Sequence, residues 1–343
     1  MMDTIDTIRY MGVKTALLDK IVPAIQRVTP TDGTVLDIMA GTNSVAYALK
    51  RYFTVYTNDV QEYSRTISNA IIVNQKDFID SKTAKLDLFT NYSFNIKEKH
   101  YHFFEETYSG TYFSQHQCAD IDSIRYAIEQ VSNDNKKNLY LLALMAAMCK
   151  VQSTPGHFAQ YMPAEHRRII PLQKMQLLNE FYDKCDNYSN IIITGTENKA
   201  FCGDYNDLLS SNDMYAVDTI YLDSPYSQEQ YSRFYHILET MVKYDSPKVF
   251  YKAKYRGDRF MSNFCYKSKV KNEFRKIINF CCTNHKNLVI SYSTNGVFSV
   301  DNLISLCGNS FDSTKVEYID YAHSTQGKGL TKVKEVLLSC SCK

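Results

Sequence analysis

The chain has 343 residues, of which 44% are hydrophobic and 22% charged, and its formal net charge is +2 at pH 7. Because this charge is nearly neutral, the composition excludes nucleic-acid binding through overall positive charge, and any such contact has to come from local basic patches. There is no long apolar run and no signal-peptide pattern, so we predict a cytoplasmic protein with no membrane partner.

The ten cysteines do not form a metal-binding pattern. There is no CxxC pair, and the closest cysteines, Cys281 with Cys282 and Cys340 with Cys342, are spaced too tightly for a standard zinc site. We therefore expect no bound metal, and we expect the cysteines to be mostly free, buried thiols.

The N-terminal part of the chain predicts a strand–helix–strand unit. Residues 15–28 have apolar side chains at helical spacing, with Pro23 at a kink or boundary. A buried strand at 35–39 leads through small residues into a helix at 45–52, and a second strand at 53–57 ends at Asn58 and Asp59. These elements have the length of a βαβ unit, and a helix at 67–73 follows.

The turn after the first strand has the composition of a cofactor-binding loop. It starts at Asp37, and the small residues at 40–43 let backbone N–H groups approach a ligand at the start of the next helix. Neither GxGxxG nor GK[ST] is present, which argues against a dinucleotide or phosphate loop. Asp59 suits the two hydroxyls of a ribose. Together these features favour an adenosine-bearing cofactor without a pyrophosphate; the alternative is a ligand-free turn beside a solvated acid.

Residues 80–190 break the α/β pattern. Aromatic side chains are frequent over 91–113, and helices are predicted at 138–150 and 172–185, on either side of a loop that contains His157. The simplest organisation is one α/β core with an insertion. Candidate contacts to a nucleic-acid backbone are Lys97, Lys99, Arg125, Lys136, Lys137, His166, Arg167, Arg168 and the segment 252–259. The alternatives are a helical subdomain with an aromatic core and solvated charged loops.

The α/β pattern resumes at 190–194 and 201–204, and an apolar strand at 217–222 ends in Asp223, Ser224, Pro225 and Tyr226. At such a strand end the carboxylate can accept a hydrogen bond from an amine, the proline fixes the backbone, and the tyrosine offers a face for stacking. These residues are a candidate site for a flat, amine-bearing ring. Helices at 234–244 and 272–282, a buried strand at 288–293 and a hairpin of 316–321 with 332–338 complete the prediction.

Seven motifs in order resemble those of the D12 class of DNA adenine-N6 methyltransferases, alpha group, over nearly all of the chain. They are 9–14 (RYMGVK, like RYxGxK), 36–45 (LDIMAGTNSV, like DxFxGxGxV), 58–59 (ND), 203–204 (GD), 223–226 (DSPY, like DPPY), 231–240 (YSRFYHILET), and 288–296 with the terminal hairpin. The resemblance implies S-adenosylmethionine as cofactor, bound by Tyr10, Lys14, Asp37, Ala40, Gly41, Thr42, Asn43, Asp59, Asp204 and Asp223. It implies Asp223, Ser224, Pro225 and Tyr226 as the catalytic residues.

The resemblance also implies an architecture and a reaction. The fold would be a Rossmann-like methyltransferase core at 1–80 and 190–343, with a mostly parallel sheet, a C-terminal antiparallel hairpin, and an inserted, mainly helical target-recognition domain at 81–189. Adenine in double-stranded DNA would be flipped out and methylated on N6 by direct in-line transfer. A cognate restriction endonuclease would be a further partner, and a bacterial or phage origin is expected.

Three residues depart from the family pattern. Met39 replaces a phenylalanine, Asn43 replaces the second glycine of the cofactor turn, and Ser224 replaces the first proline of DPPY. Asparagine tolerates a left-handed backbone, and serine keeps the backbone carbonyl. We therefore predict that the site is catalytically competent despite these departures. The alternatives are a methyltransferase for another amine (cytosine N4, an RNA adenine or a glutamine side chain) and a DNA-binding protein with a decayed core.

Overall fold

A seven-stranded sheet forms the centre of the protein, which is described from a computed structural model covering residues 4–8, 12, 14–321 and 333–342. Its strands are β1 Thr34–Asp37, β2 Thr54–Asp59, β3 Lys199–Cys202, β4 Thr219–Leu222, β7 Asn287–Ser293, β8 Ser313–Tyr321 and β9 Val333–Ser341. A separate two-stranded hairpin consists of β5 Val249–Phe250 and β6 Tyr255–Arg256.

The order of the strands confirms the predicted methyltransferase-type sheet. It is β3-β2-β1-β4-β7-β9-β8, in which the first five strands are parallel and β9 lies antiparallel between β7 and β8. The carboxyl ends of the parallel strands therefore meet at one edge. Asp37, Asp59 and Asp223 all stand at or just beyond those ends. The strand order by itself therefore places the three acids that the sequence indicates at the same edge of the sheet.

Helices cover both faces of the sheet because successive strand side chains point to opposite sides. They are α1 Leu18–Val28, α2 Ser44–Leu49, α3 Glu62–Ser68, α4 Ser81–Glu98, α5 Phe103–Tyr108, α6 Gln115–Glu129, α7 Asp134–Val151, α8 Ile170–Gln173, α9 Leu177–Asp186, α10 Tyr205–Leu209, α11 Tyr231–Phe234, α12 His236–Lys243, α13 Val270–Thr283 and α14 Val300–Gly308. Val35 packs into the apolar cluster beneath α1, α2, α3, α7 and α12, whereas Leu36 packs into the cluster beneath α10, α13 and α14.

Helices α4 to α9 occupy most of the predicted insertion. Their buried side chains, including Phe104, Tyr140 and Met145, belong to the same apolar cluster as Ile21 and Ile67 of the helices on the sheet. The aromatic residues of this region are thus largely core residues. The boundaries of a separate inserted domain at residues 81 and 189 remain a prediction.

The predicted helix at 172–185 is two helices, α8 and α9, and the predicted strand at 190–194 does not form. Side chains, instead of a neighbouring strand, satisfy this stretch of backbone. The N–H of Ile192 donates to the Tyr47 hydroxyl at 3.0 Å, and its carbonyl accepts from Nζ of the buried Lys50 at 2.8 Å. The strand that joins the edge of the sheet comes later, as β3.

No helix within the described ranges is long and apolar enough to cross a membrane.

Candidate active site

One pocket at the carboxyl edge of the sheet gathers most of the predicted site residues. Those that line it are Lys14, Asp37, Ala40, Gly41, Thr42, Asp59, Asp204, Asp223, Ser224, Pro225 and Tyr226. Asn43 does not line it, and Tyr10 lies outside the described residues. Residues that the sequence did not single out, among them Phe260, Phe264 and Glu273, complete the wall.

The cofactor turn is held from behind by Asn43, contrary to its predicted contact with the ligand. Asn43 is fully buried in a left-handed conformation (φ 62°), which asparagine tolerates. Its Nδ2 donates to the carbonyls of Gly41 at 3.3 Å and Ser64 at 3.2 Å, and its Oδ1 accepts from the Ser68 hydroxyl at 2.6 Å. Asparagine therefore makes three hydrogen bonds that a glycine could not make, of which two link the turn to α3 and one closes the turn on itself.

Asp59 completes the turn from the neighbouring strand. Its carboxylate accepts from the N–H of Gly41 at 3.0 Å and of Gln61 at 2.9 Å, while burial raises its pKa. Each carboxylate oxygen can still accept a second hydrogen bond. Asp204 stands at the start of α10, where it accepts from the Asn206 N–H at 2.9 Å. Both acids thus have fixed orientations at the pocket wall.

A buried ion triad adjoins the DSPY motif. Lys14 Nζ lies 3.1 Å from Asp223 Oδ1 and 3.0 Å from Oε1 of Glu335, a residue the sequence did not point to. Lys14 is 4% exposed and Glu335 only 1%. Burial disfavours the lysine's charge, but Asp223 and Glu335 outweigh burial and raise its pKa above the ordinary value. The lysine is therefore a fixed cation between the two carboxylates.

Glu335 reaches the pocket because β9 is antiparallel to β7. It stands opposite Ser293, at the carboxyl end of β7, and its Oε1 accepts from the Ser291 hydroxyl at 2.6 Å. Burial, followed by the charge of Glu335, raises the pKa of Asp223 to about 6, although Lys14 opposes the change. Glu335 thus influences the Asp223 carboxylate through both its own charge and its hold on Lys14.

Asp37 contributes a further acid at the bottom of the pocket. It is 2% exposed, and its Oδ1 has no hydrogen-bond partner among the described residues. Burial, together with the nearby carboxylates of Asp223 and Asp59, raises its pKa well above the ordinary value. Carboxylates therefore outnumber the single described lysine in this pocket, which consequently suits a ligand that carries positive charge.

Tyr226 is half-buried, with Lys14 Nζ 5.2 Å from the centre of its ring and Tyr292 in edge-on contact at 6.5 Å. Its backbone carbonyl accepts from the Val297 N–H at 2.9 Å. The Ser224 hydroxyl is buried and has no partner in the described part of the chain. Packing, in place of the missing proline, holds this strand end.

Several predicted DNA contacts have structural roles instead. Arg125 is 7% exposed and donates to the carbonyls of Met241 and Val242. Arg256 is 2% exposed and forms ion pairs with Asp245 at 2.6 Å and Asp258 at 2.8 Å. A buried arginine with carboxylate partners cannot reach a phosphate. The prediction is therefore wrong for Arg125, and within the segment 252–259 it is wrong for Arg256.

Comparison with known proteins gives a consistent match. A family model described as "D12 class N6 adenine-specific DNA methyltransferase" matches residues 10–303. The chain is 27% identical to the modification methylase StsI of Streptococcus sanguinis over 96% of its length, and 28% identical to the modification methylase LlaI of Lactococcus lactis subsp. lactis over 96%. It is 28% identical to the type II methyltransferase M.FokI of Planomicrobium okeanokoites over 87%. These alignments cover 50%, 54% and 46% of the three relatives, so the chain spans about half their length.

Proposed function

Because the chain belongs to the D12 class of N6 adenine-specific DNA methyltransferases, we propose that it methylates N6 of adenine at specific sites in double-stranded DNA, with S-adenosylmethionine as methyl donor. The observation that carries the proposal is the joint pocket of the cofactor turn and the DSPY motif. Direct methyl transfer needs both reactants in one cavity, close together and correctly oriented. The two halves of this pocket supply that arrangement.

The pocket fits S-adenosylmethionine. Asp59 would hold the ribose hydroxyls, Asp204 would lie beside the adenine ring, and Oδ1 of Asp37, which has no partner among the described residues, would face the positively charged part of the molecule. When bound, the cofactor supplies a methyl group activated by a sulfonium charge. Its positive charge is compatible with the carboxylates that crowd the pocket.

The DSPY residues would hold the target base. Asp223 and the Ser224 carbonyl each accept one N6 hydrogen, which directs the nitrogen lone pair toward the donor and away from conjugation with the ring. Tyr226 stacks on the extruded adenine and compensates for part of the lost stacking, since flipping a base costs a few kcal/mol. Lys14 and Glu335 fix the direction of the Asp223 carboxylate. The proton can leave after methylation, so no strong base is required.

Residues 81–189 would supply target recognition, and a restriction endonuclease would share the recognised sequence, as the names of the relatives suggest. A decayed core is the second candidate, because Ser224 departs from the family motif. Affinity for S-adenosylmethionine separates the two. A decayed core would show little affinity for S-adenosylmethionine.

Expression of the chain in cells that lack adenine methylation tests the function. We expect sequencing of modified bases to show N6-methyladenine at one short sequence, and the same experiment identifies that sequence. Modification of cytosine N4 would establish the alternative amine. Unmodified DNA from cells that contain folded protein would contradict the proposal.

The rate should depend on the protonation of Asp223. Its pKa is raised to about 6, and only the carboxylate accepts the N6 hydrogen, so kcat/KM for DNA should fall roughly tenfold per pH unit below about pH 6. Measurement at saturating cofactor separates this effect from titration of Asp37 and Asp59. In Glu335→Gln the acid limb should move to lower pH, because one carboxylate that raises the pKa of Asp223 is lost. If the acid limb of the pH–rate profile were unchanged in Glu335→Gln, titration of Asp223 could not be the cause of that limb.

A further inference from the structure

Two arginines share one tyrosine ring, and each arginine is the chain neighbour of a residue that lines the pocket. The Cζ atoms of Arg233 and Arg259 lie 5.6 Å and 4.6 Å from the centre of the Tyr255 ring, and Arg233 Nε donates to the Tyr255 hydroxyl at 3.0 Å. Tyr255 is itself buried, and its hydroxyl donates to the Ala159 carbonyl. The ring is therefore a fixed support, and both guanidinium groups lie within about 10 Å of each other, as the sum of their ring distances requires.

The pair is joined rigidly to the pocket wall. Arg233 follows Ser232 and Arg259 precedes Phe260, and both Ser232 and Phe260 line the pocket. The Ser232 hydroxyl donates to the Phe260 carbonyl at 2.7 Å. Gln230 also exchanges hydrogen bonds with the Ser262 backbone, at 3.1 Å and 2.7 Å. The two segments that carry the arginines thus move together with the wall that would hold the flipped base.

These guanidinium groups are available to a ligand, unlike that of Arg256. Within the described residues, Arg259 has no carboxylate partner, and its Nε donates to the Arg256 carbonyl at 3.1 Å. Arg233 is half exposed and lies 3.5 Å from the exposed Glu229, a surface pair that contributes little and is easily replaced. In the part of the chain that the structure describes, neither guanidinium group is therefore neutralised by a buried carboxylate.

The charge on either side of the pocket mouth differs in sign. Asp37, Asp59 and Asp223 inside the pocket repel a phosphate, whereas Arg233 and Arg259 attract one. A nucleotide that enters base first would leave its phosphates outside, at the rim. Planar guanidinium groups are suited to bidentate contact with phosphate oxygens.

Resting on the proposed function, we propose that Arg233 and Arg259 form a paired site for the phosphodiester groups that flank the flipped adenine. The site positions the strand without reading its sequence. Tyr255 keeps the two guanidinium groups in place. The pocket would hold the base, and this rim would hold the backbone on which the base is carried.

The test compares Arg233→Gln, Arg259→Gln and the double variant with Arg27→Gln. Arg27 is a matched control because Thr29, two residues further on, contacts Thr219 at the opposite end of β4 from Asp223. The probe is a labelled duplex with one mismatched adenine, which is extruded at lower cost. Its affinity is measured over a range of salt concentrations.

Each rim variant should weaken binding roughly tenfold and reduce the slope of log affinity against log salt by about 0.9, and the double variant should reduce it by about 1.8. Cofactor affinity should stay unchanged, and Arg27→Gln should match the wild type. An unchanged slope with methylation intact would overturn the rim site alone. Weaker cofactor binding would assign the arginines to the cofactor and also overturn it. Failure of the wild type to methylate, with a normal slope, would instead contradict the proposed function.

Discussion

Asp223→Ala should lose at least about 10³-fold in methyl transfer, because an acceptor placed at the reacting nitrogen acts mainly in the transition state. Binding of S-adenosylmethionine should largely persist, since Asp37, Asp59 and the turn remain in place. Lys14 keeps a partner in Glu335, so the fold should also survive. Single-turnover methylation and cofactor titration measure the two effects separately.

Two further variants at this strand end serve as controls. Asp223→Asn keeps the shape of the side chain but removes the second acceptor oxygen, and it should be nearly as inactive as Asp223→Ala. Ser224→Pro restores the family residue and should keep activity, because the backbone carbonyl is retained. Full activity of Asp223→Ala would contradict the proposed roles.

Lys14→Met should destabilise the protein by about 3–5 kcal/mol, the usual cost of leaving a buried charge without its partner. Glu335 would keep only the Ser291 hydroxyl, and Asp223 would lose the cation that lowers its pKa. Loss of Lys14 raises the pKa of Asp223 above its wild-type value of about 6, so the folded variant keeps a proton above that pH that the folded wild type has released, and the deficit should grow as pH rises above about 6. Chemical denaturation at several pH values measures it.

The double variant Lys14→Met, Glu335→Gln tests the origin of this loss. With both charges removed, it should recover much of the stability, since replacing a buried pair is far less costly than breaking it. Lys20→Met removes an exposed lysine from the first turn of α1, and its effect should stay within about 0.5 kcal/mol. A double variant no more stable than Lys14→Met would exclude charge pairing as the cause.

The sheet and the acids at its edge could be predicted from sequence because both follow from local patterns. Apolar runs that contain Asp37 or lead into Asp59 and Asp223 indicate parallel strands, and parallel strands place their carboxyl ends together. Of the residues predicted to bind the cofactor and the base, those that the structure describes therefore lie in one pocket, with Asn43 as the exception, and Tyr10 falls outside the described residues. Their individual roles remain predictions.

What the sequence could not supply depends on contacts between distant segments. Glu335 lies near the start of an antiparallel strand, so only the pairing of β9 with β7 brings it to the pocket. Arg256 looked like a surface cation until the structure paired it with Asp245 and Asp258. In the sequence, Asn43 is only a substitute for the second glycine of the family turn, but in the structure its side chain forms hydrogen bonds with α3. A single sequence shows which residues carry charge but not which partners neutralise it.

The position of β9 has a consequence for the order in which the protein can assemble. A ribosome completes β8 before β9, yet β8 pairs with the sheet only through β9. Until β9 is inserted between them, β7 and β8 expose unpaired edges of the kind that promote aggregation. Lys14 likewise lacks Glu335 until that moment, although Lys14 is made long before β9. The buried ion triad beside the DSPY motif therefore forms only after β9 has been synthesised, although β1, β2 and β4 of the pocket edge all precede it in the chain.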